Sequence, residues 1–346
     1  MTLKITYKPL NLPLEFTFTI SRGSMTEANT VIVEITHDGV TGIGEAVPSR
    51  FYGESQESVL AFYENIVKTG LLNDLDPFNM QEFEFRLSQF EGNKSAKAGL
   101  DMAMYDLQGK LLNMPLWKLW GLDPARAPKT SYTIGIAQPD EVKRKTDIAL
   151  SRGYDVLKIK VGSPQDMETL KIIRAMAPEA TIRVDANAAW TAVDALTMIP
   201  LLKEFDVEFV EEPLKLDCSP PDYEILAKQS PLPLMADESC RVLEDVPKCR
   251  RSFQSINIKL SKCGGLTEAR RMISAARAQG LKIMLGGFVE SRVSVSGFAQ
   301  LSPLVDYADL DACLLVDADK DPYKGVEYNG SQIILPDRPG IGAILK

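Results

Sequence analysis

Histidine is nearly absent. The 346 residues contain one, His37, placed in His37-Asp38-Gly39, a tight-turn signal between two strand-like runs. Mechanisms that need a histidine base or several histidine metal ligands are thereby set aside, and the chemistry must rest on lysines and carboxylates. Cysteine is sparse: Cys218, Cys240, Cys249, Cys263 and Cys313 form an odd, scattered set without metal-type spacing. Such a set reads as reduced structural thiols in a cytoplasmic protein. No run of about eighteen apolar residues occurs, so no transmembrane helix is expected. The start, Met1-Thr-Leu-Lys-Ile-Thr-Tyr-Lys8, lacks the apolar core of a signal peptide. Positive charge is in deficit, with 39 Lys and Arg against 47 Asp and Glu and a net charge of −8. That balance argues against nucleic acid or an anionic membrane surface as a partner.

What remains is an ordinary globular composition, 45% hydrophobic and 25% charged, in a chain long enough for two domains. Residues 1–125 read as α+β, with strand-like runs at 3–9, 15–20, 30–36 and 41–46 before helical patterns near 55–68, 79–90 and 94–113. In the last of these, Ala96, Leu100, Ala103, Leu107 and Leu111 recur every three to four residues, and Pro115 follows its end. From about 130 the texture becomes alternation. Short apolar runs at 131–136, 155–161, 181–187, 207–213, 233–238, 255–260, 282–287 and 307–311 alternate with helical segments, although the helix after the fifth run looks short. Eight such units predict an α/β fold, a (β/α)₈-type (TIM-like) barrel over 126–319. An α+β capping domain, 1–125, is completed by the Gly/Pro-punctuated tail at 320–346.

The run Tyr154-Asp-Val-Leu-Lys-Ile-Lys-Val-Gly162 is strand-like, yet carries Lys158 and Lys160 two residues apart, on one face. Three later strands end in acids: Arg183-Val-Asp-Ala-Asn187, Phe209-Val-Glu-Glu-Pro213 and Met235-Ala-Asp-Glu-Ser239. Asp185, Glu211 and Asp237 follow one another at 26-residue steps, close to one βα unit, which places them on adjacent strands at the C-terminal mouth of the barrel. Three crowded carboxylates repel one another unless a cation neutralises them, and an all-oxygen set suits Mg²⁺ or Mn²⁺. Lys259, in Ile256-Asn-Ile-Lys-Leu-Ser-Lys-Cys-Gly-Gly265, ends the sixth strand. It therefore faces Lys160 across the ring, one lysine on each side of a carboxylate held by the ion. This is the geometry for taking a proton from the carbon beside a carboxylate and returning one on either face, through an enediolate that the metal stabilises. Lys158 adds a second cation beside the developing charge, whereas Lys262 reads as solvated, beyond the strand. On the eighth strand, Tyr307-Ala-Asp-Leu-Asp311 puts Asp309 and Asp311 on one face. Two uncompensated acids there call for a cationic group, such as the ammonium of a dipeptide. Among the polar loops at 21–26 and 49–54, Arg22 and Phe51 are candidate substrate contacts, as is Thr133 on the first barrel strand.

Lys-x-Lys, then Asp, Glu-x-Pro, Asp-Glu-Ser and Asn-x-Lys-x-x-Lys-x-Gly-Gly together resemble the enolase superfamily, specifically its muconate-lactonizing-enzyme subgroup. Gly42-Ile-Gly-Glu-Ala46 and Gly92-Asn-Lys-Ser-Ala-Lys97 resemble that subgroup's capping domain. Sites of this superfamily use a Lys or His base with Mg²⁺. The resemblance implies Lys160 and Lys259 as the acid/base pair, Lys158 supporting the substrate carboxylate, and Asp185, Glu211 and Asp237 as Mg²⁺ ligands. Asp-x-Asp on the eighth strand is what the dipeptide epimerases, including Ala-Glu epimerases, show there. The expected activity is therefore epimerisation at the α-carbon of the C-terminal residue of a dipeptide, L-Ala-D/L-Glu among the candidates. The alternatives are an N-succinylamino acid racemase or o-succinylbenzoate synthase of the same subgroup. The chain departs from the Ala-Glu epimerases where a basic residue of the first capping loop is expected: Gly23 falls there, with Arg22 beside it. A homo-oligomer remains open.

Overall fold

The computed structural model describes residues 2–346. Strands β1 (Lys4–Ile20), β2 (Gly23–His37) and β3 (Val40–Ala46) form an antiparallel sheet in that order. The runs expected at 3–9 and 15–20 are one strand whose pairing with β2 slips between Pro13 and Phe18, where proline offers no N–H to the ladder. Asp38 and Gly39 both have positive φ, 49° and 81°, as a two-residue hairpin turn requires. Helices α1 (Gln56–Thr69), α2 (Met80–Ser88) and α3 (Lys94–Leu111) cover the sheet. The Gly-x-Gly of β3 exists for contact: a Cβ on Gly42 would stand 2.1 Å from Ala103 O, and one on Gly44 2.0 Å from Gly99 O. Only bare backbone lets α3 lie this close to the strand.

Eight parallel strands follow: β4 (Tyr132–Ile134), β5 (Val156–Lys160), β6 (Thr181–Asp185), β7 (Val207–Glu211), β8 (Leu234–Ala236), β9 (Ser255–Ile258), β10 (Lys282–Gly286) and β11 (Tyr307–Asp309). They pair in sequence order. A bridge between Thr130 and Ala308, with Ser131 N donating to Ala308 O, links the first to the last. The helix after the fifth barrel strand is indeed short, Val246–Cys249. Inside the ring, Phe209, Met235 and Met284 pack with Tyr307 as an apolar floor. Two residues further along β7 and β11, and just past the end of β8, the inward positions become Glu211, Asp309 and Asp237. The period-2 alternation thus stacks a charged layer on an apolar one. Among the described residues, no helix is long and apolar enough to cross a membrane.

The cap reaches the barrel through buried acids. Glu45, beside Gly44, accepts from Ser291 N and Ser294 N, both at 3.1 Å, at the start of the helix Arg292–Ala299. Asp101 of α3 accepts from Thr267 N (3.1 Å) and Thr267 Oγ1 (2.6 Å) in the first turn of the helix Leu266–Ala278. Two barrel helices therefore have N-terminal donors satisfied by the cap. The tail bonds to both parts: Ile341 N donates to Asp106 of α3 at 2.8 Å, and Thr130 N to Ser331 O at 2.8 Å.

Candidate active site

The charged layer is built at strand ends. Lys160 closes β5, Asp185 closes β6 and Glu211 closes β7, while Asp237 and Lys259 each follow the last residue of β8 and β9. The register pairs Lys160 with Asp185 and Asp185 with Glu211, so neighbouring strands deliver these side chains at one height. One carboxylate oxygen from each of Asp185, Glu211 and Asp237 lies within 4.8 Å of the others. Lys160 Nζ donates to Asp185 Oδ2 at 2.5 Å, and Lys259 Nζ to Asp237 Oδ2 at 2.7 Å. The two lysines thus attach to the outer members of the acid trio, from β5 and β9, which stand four strands apart in the ring of eight.

Lys158 is enclosed by acids, its Nζ 2.6 Å from Asp309 Oδ2, 2.7 Å from Glu211 Oε2 and 3.1 Å from Asp185 Oδ2. Burial works against its charge, but Asp309, Glu211 and Asp185 hold it protonated well above the usual lysine range. Burial also opposes the charge of Asp185, yet Lys160 and Lys158 prevail and keep its carboxyl below the usual range. Asp237 is lowered likewise by Lys259 and Lys262. Glu211 differs: burial and then Asp185 push it up to about 7. Its Oε2 is buried and has no aligned hydrogen-bond donor despite the nearby Lys158.

That donor set fits a hard divalent cation. It is all oxygen, it converges, and its central member resists ionisation with the positive charge already present.

On the opposite rim, Asp309 Oδ1 accepts from Ser131 Oγ at 2.5 Å. Asp311 accepts from Thr133 N at 2.5 Å and Thr133 Oγ1 at 3.2 Å. Thr133 Oγ1 also donates to Asp309 Oδ1 at 3.4 Å, so it orients both acids. The pair is less exposed to its own repulsion than the sequence suggests, because Lys158 neutralises Asp309. Asp311 has no ion-pair partner among the described residues, and burial followed by Asp309 raises it to about 7.

Lys262 is a correction. It is not solvated but buried, donating to Asp237 O (2.5 Å), Asp237 Oδ1 (2.6 Å), Cys240 O (2.9 Å) and Asn257 O (3.0 Å). The single helical turn Leu260–Cys263 begins directly after Lys259 and folds Lys262 back under the mouth. Arg22 and Phe51 do meet at the mouth, the guanidinium 4.3 Å from the ring centroid, but Arg22 is paired with Glu238. Sequence reasoning also passed over Glu212 and Glu238, the second acids of Glu-Glu-Pro and Asp-Glu-Ser. Glu212 Oε2 accepts from Asp237 N (2.7 Å) and Ser239 N (3.0 Å), which fixes the strand end that carries Asp237. Its φ of 31°, with 46° at Asn187 and 61° at Ala188, puts three non-glycine left-handed residues beside the acid trio.

A two-domain chain with a lysine and acid layer of this kind corresponds to one group of barrel proteins. The description "Enolase C-terminal domain-like" matches residues 141–346, and "Mandelate racemase / muconate lactonizing enzyme, N-terminal domain" matches residues 3–121. The chain belongs to the enolase superfamily. It is 40% identical to the L-Ala-D/L-Glu epimerase of Bacteroides thetaiotaomicron over 99% of this chain and 88% of that protein. Among solved structures, the substrate-liganded L-Ala-D/L-Glu epimerase of Bacillus subtilis aligns with a TM-score of 0.92 at 29% identity, covering 99% of this chain and 98% of the other. The dipeptide epimerase of Enterococcus faecalis, complexed with Mg and L-Leu-L-Tyr, aligns at 0.91 and 32% identity, covering 99% of each.

Proposed function

We propose that this chain is a Mg²⁺-dependent dipeptide epimerase that inverts the α-carbon of the C-terminal residue of its substrate. The observation that carries the reading is the placement of Lys160 and Lys259, bonded to opposite ends of one acid trio from strands on opposite sides of the ring. Asp185, Glu211 and Asp237 would hold the ion, which supplies Lewis-acid charge that makes negative charge on the substrate's carboxylate oxygens less costly. One lysine, as free amine, takes the α-proton, and the other, as ammonium, donates a proton to the opposite face. Reversal of roles serves the other epimer. Lys158 adds fixed positive charge next to the carboxylate; at an effective dielectric near 20, a charge pair at 4 Å is worth about 4 kcal/mol. Asp309 and Asp311, held by Ser131 and Thr133, receive the substrate ammonium, and Phe51 borders the entrance.

That acid pair favours a dipeptide over the N-succinylamino acid and o-succinylbenzoate alternatives, which bring a carboxylate where the rim is already negative. L-Ala-D/L-Glu is a substrate to try first, and Mn²⁺ is expected to substitute for Mg²⁺. We divide the chain into a cap, 1–125 with 320–346, and a barrel, 126–319; the bond from Ile341 to Asp106 supports grouping the tail with the cap. A cytoplasmic setting accords with five free thiols. The test is incubation with a dipeptide panel and Mg²⁺ in D₂O. Deuterium should enter the C-terminal residue's α-position with inversion, and a complete lack of exchange across the panel discards the assignment.

A further inference from the structure

The first capping loop is fastened to the two segments that carry Asp185 and Asp237. Arg22 Nη1 donates to Asn187 O at 2.6 Å and lies 2.7 Å from Glu238 Oε1, while Ser21 Oγ donates to Asn187 O at 3.2 Å. Glu238 directly follows Asp237. Asn187 lies two residues after Asp185 and donates its N–H to Asp185 Oδ1 at 2.8 Å. The close approach is prepared at Gly162, just beyond β5, where a Cβ would stand 2.9 Å from that of Ser21.

Glu238 is the reason the loop needs an arginine. Its side chain is 2% exposed, against 30% for Arg22, and Asp237 is its chain neighbour. A buried acid in such company needs a cation, and Arg22 is its one ion-pair partner among the described residues. The Phe51 ring covers the guanidinium. An arginine that reads a substrate's side chain must offer it an open fork. Arg22 has already given its charge to Glu238 and its flat face to Phe51. A substrate carboxylate that drew Nη1 of Arg22 away would leave Glu238 buried and unpaired.

We propose that Arg22 is a positioning residue that latches the first capping loop onto Glu238 over the barrel mouth, and does not read the substrate's side chain. This rests on the epimerase reading of the same site. A latch excludes water from the lysine pair whatever dipeptide is bound, so it acts on all substrates alike.

The test uses the full Mg²⁺-loaded chain with Arg22→Met, Glu238→Gln and the double variant, assayed on L-Ala-L-Glu and L-Ala-L-Leu, with amide hydrogen exchange over residues 18–26. Each single change should lower kcat/KM on both dipeptides by the same factor, roughly ten- to hundredfold for a lost loop closure. The double variant should be no worse than the poorer single, and loop exchange should rise in all three. Arg22→Lys, which keeps the charge and loses the fork and stack, should fall between wild type and Arg22→Met. A loss confined to the acidic dipeptide, or loop exchange unchanged in Arg22→Met and Glu238→Gln, overturns the proposal. If wild type turns over neither these dipeptides nor any of the wider panel, the epimerase reading fails, while the exchange data still report on the latch.

Discussion

Lys262 and Lys259 grip the same carboxylate from two sides: Lys262 Nζ is 2.6 Å from Asp237 Oδ1, and Lys259 Nζ is 2.7 Å from Asp237 Oδ2. Lys262 also holds the backbone O of Asp237, so it fixes both the side chain and the chain that presents it. Lys262→Met should therefore weaken metal binding by roughly ten- to hundredfold, the usual effect of removing a group that orients a ligand. Calorimetric titration with Mg²⁺ checks this, and an unchanged affinity refutes the positioning role.

The two lysines across the ring should be separable by stereochemistry. Lys160→Ala and Lys259→Ala should each abolish epimerisation, yet each keeps one base. In D₂O each variant should exchange the α-proton of one epimer only, and the two variants should retain opposite epimers. Loss of the same epimer from both would contradict opposed bases.

Divalent ions should matter to stability as well as to turnover. A chelator should abolish proton exchange, and Mg²⁺ at about one hundred times its Kd should restore it and stabilise the fold by about 2.7 kcal/mol. A melting temperature indifferent to Mg²⁺ would argue against binding at the acid trio.

Asp101 gives a pH signature remote from catalysis. Burial raises its carboxyl from 3.8 to about 7, although Thr267 donates to it. Between those values the folded state keeps a proton that the unfolded chain has lost, so stability falls as pH rises through this window. The full penalty, roughly 4 kcal/mol from the size of the gap, is present above about pH 7. Asp101→Asn can still accept from Thr267 N and donate to its hydroxyl. Denaturant midpoints measured from pH 5 to 8 should vary less in this variant than in wild type.

The barrel and its charged mouth were legible because the side chains that matter interrupt apolar strands at their ends, once per βα unit. Asp185, Glu211 and Asp237 stand out for that reason, and Lys158 with Lys160 shows its shared face through simple alternation. Lys262 was not legible, because one turn of helix after β9 reverses its direction and no periodicity marks so short a turn. Glu212 and Glu238 sit next to Glu211 and Asp237, so each motif declared two acids without saying what the second one meets. Arg22 finds its partners 165 and more residues away, a pairing set by how the cap seats on the barrel. The continuity of β1 across its register slip was equally silent, because Pro13 cannot donate to the ladder.

Glu45 and Asp101 sit in the cap but finish helices of the barrel. Cut apart, the two pieces would each be left with a defect of opposite kind: helix starts with idle donors in one, stranded carboxylates in the other. Swapping in a foreign cap therefore means transplanting those acids and their depth as well as the loops at the rim. Diversification of such a molecule is channelled toward loop residues, while the seam between its halves stays bound to one chemistry.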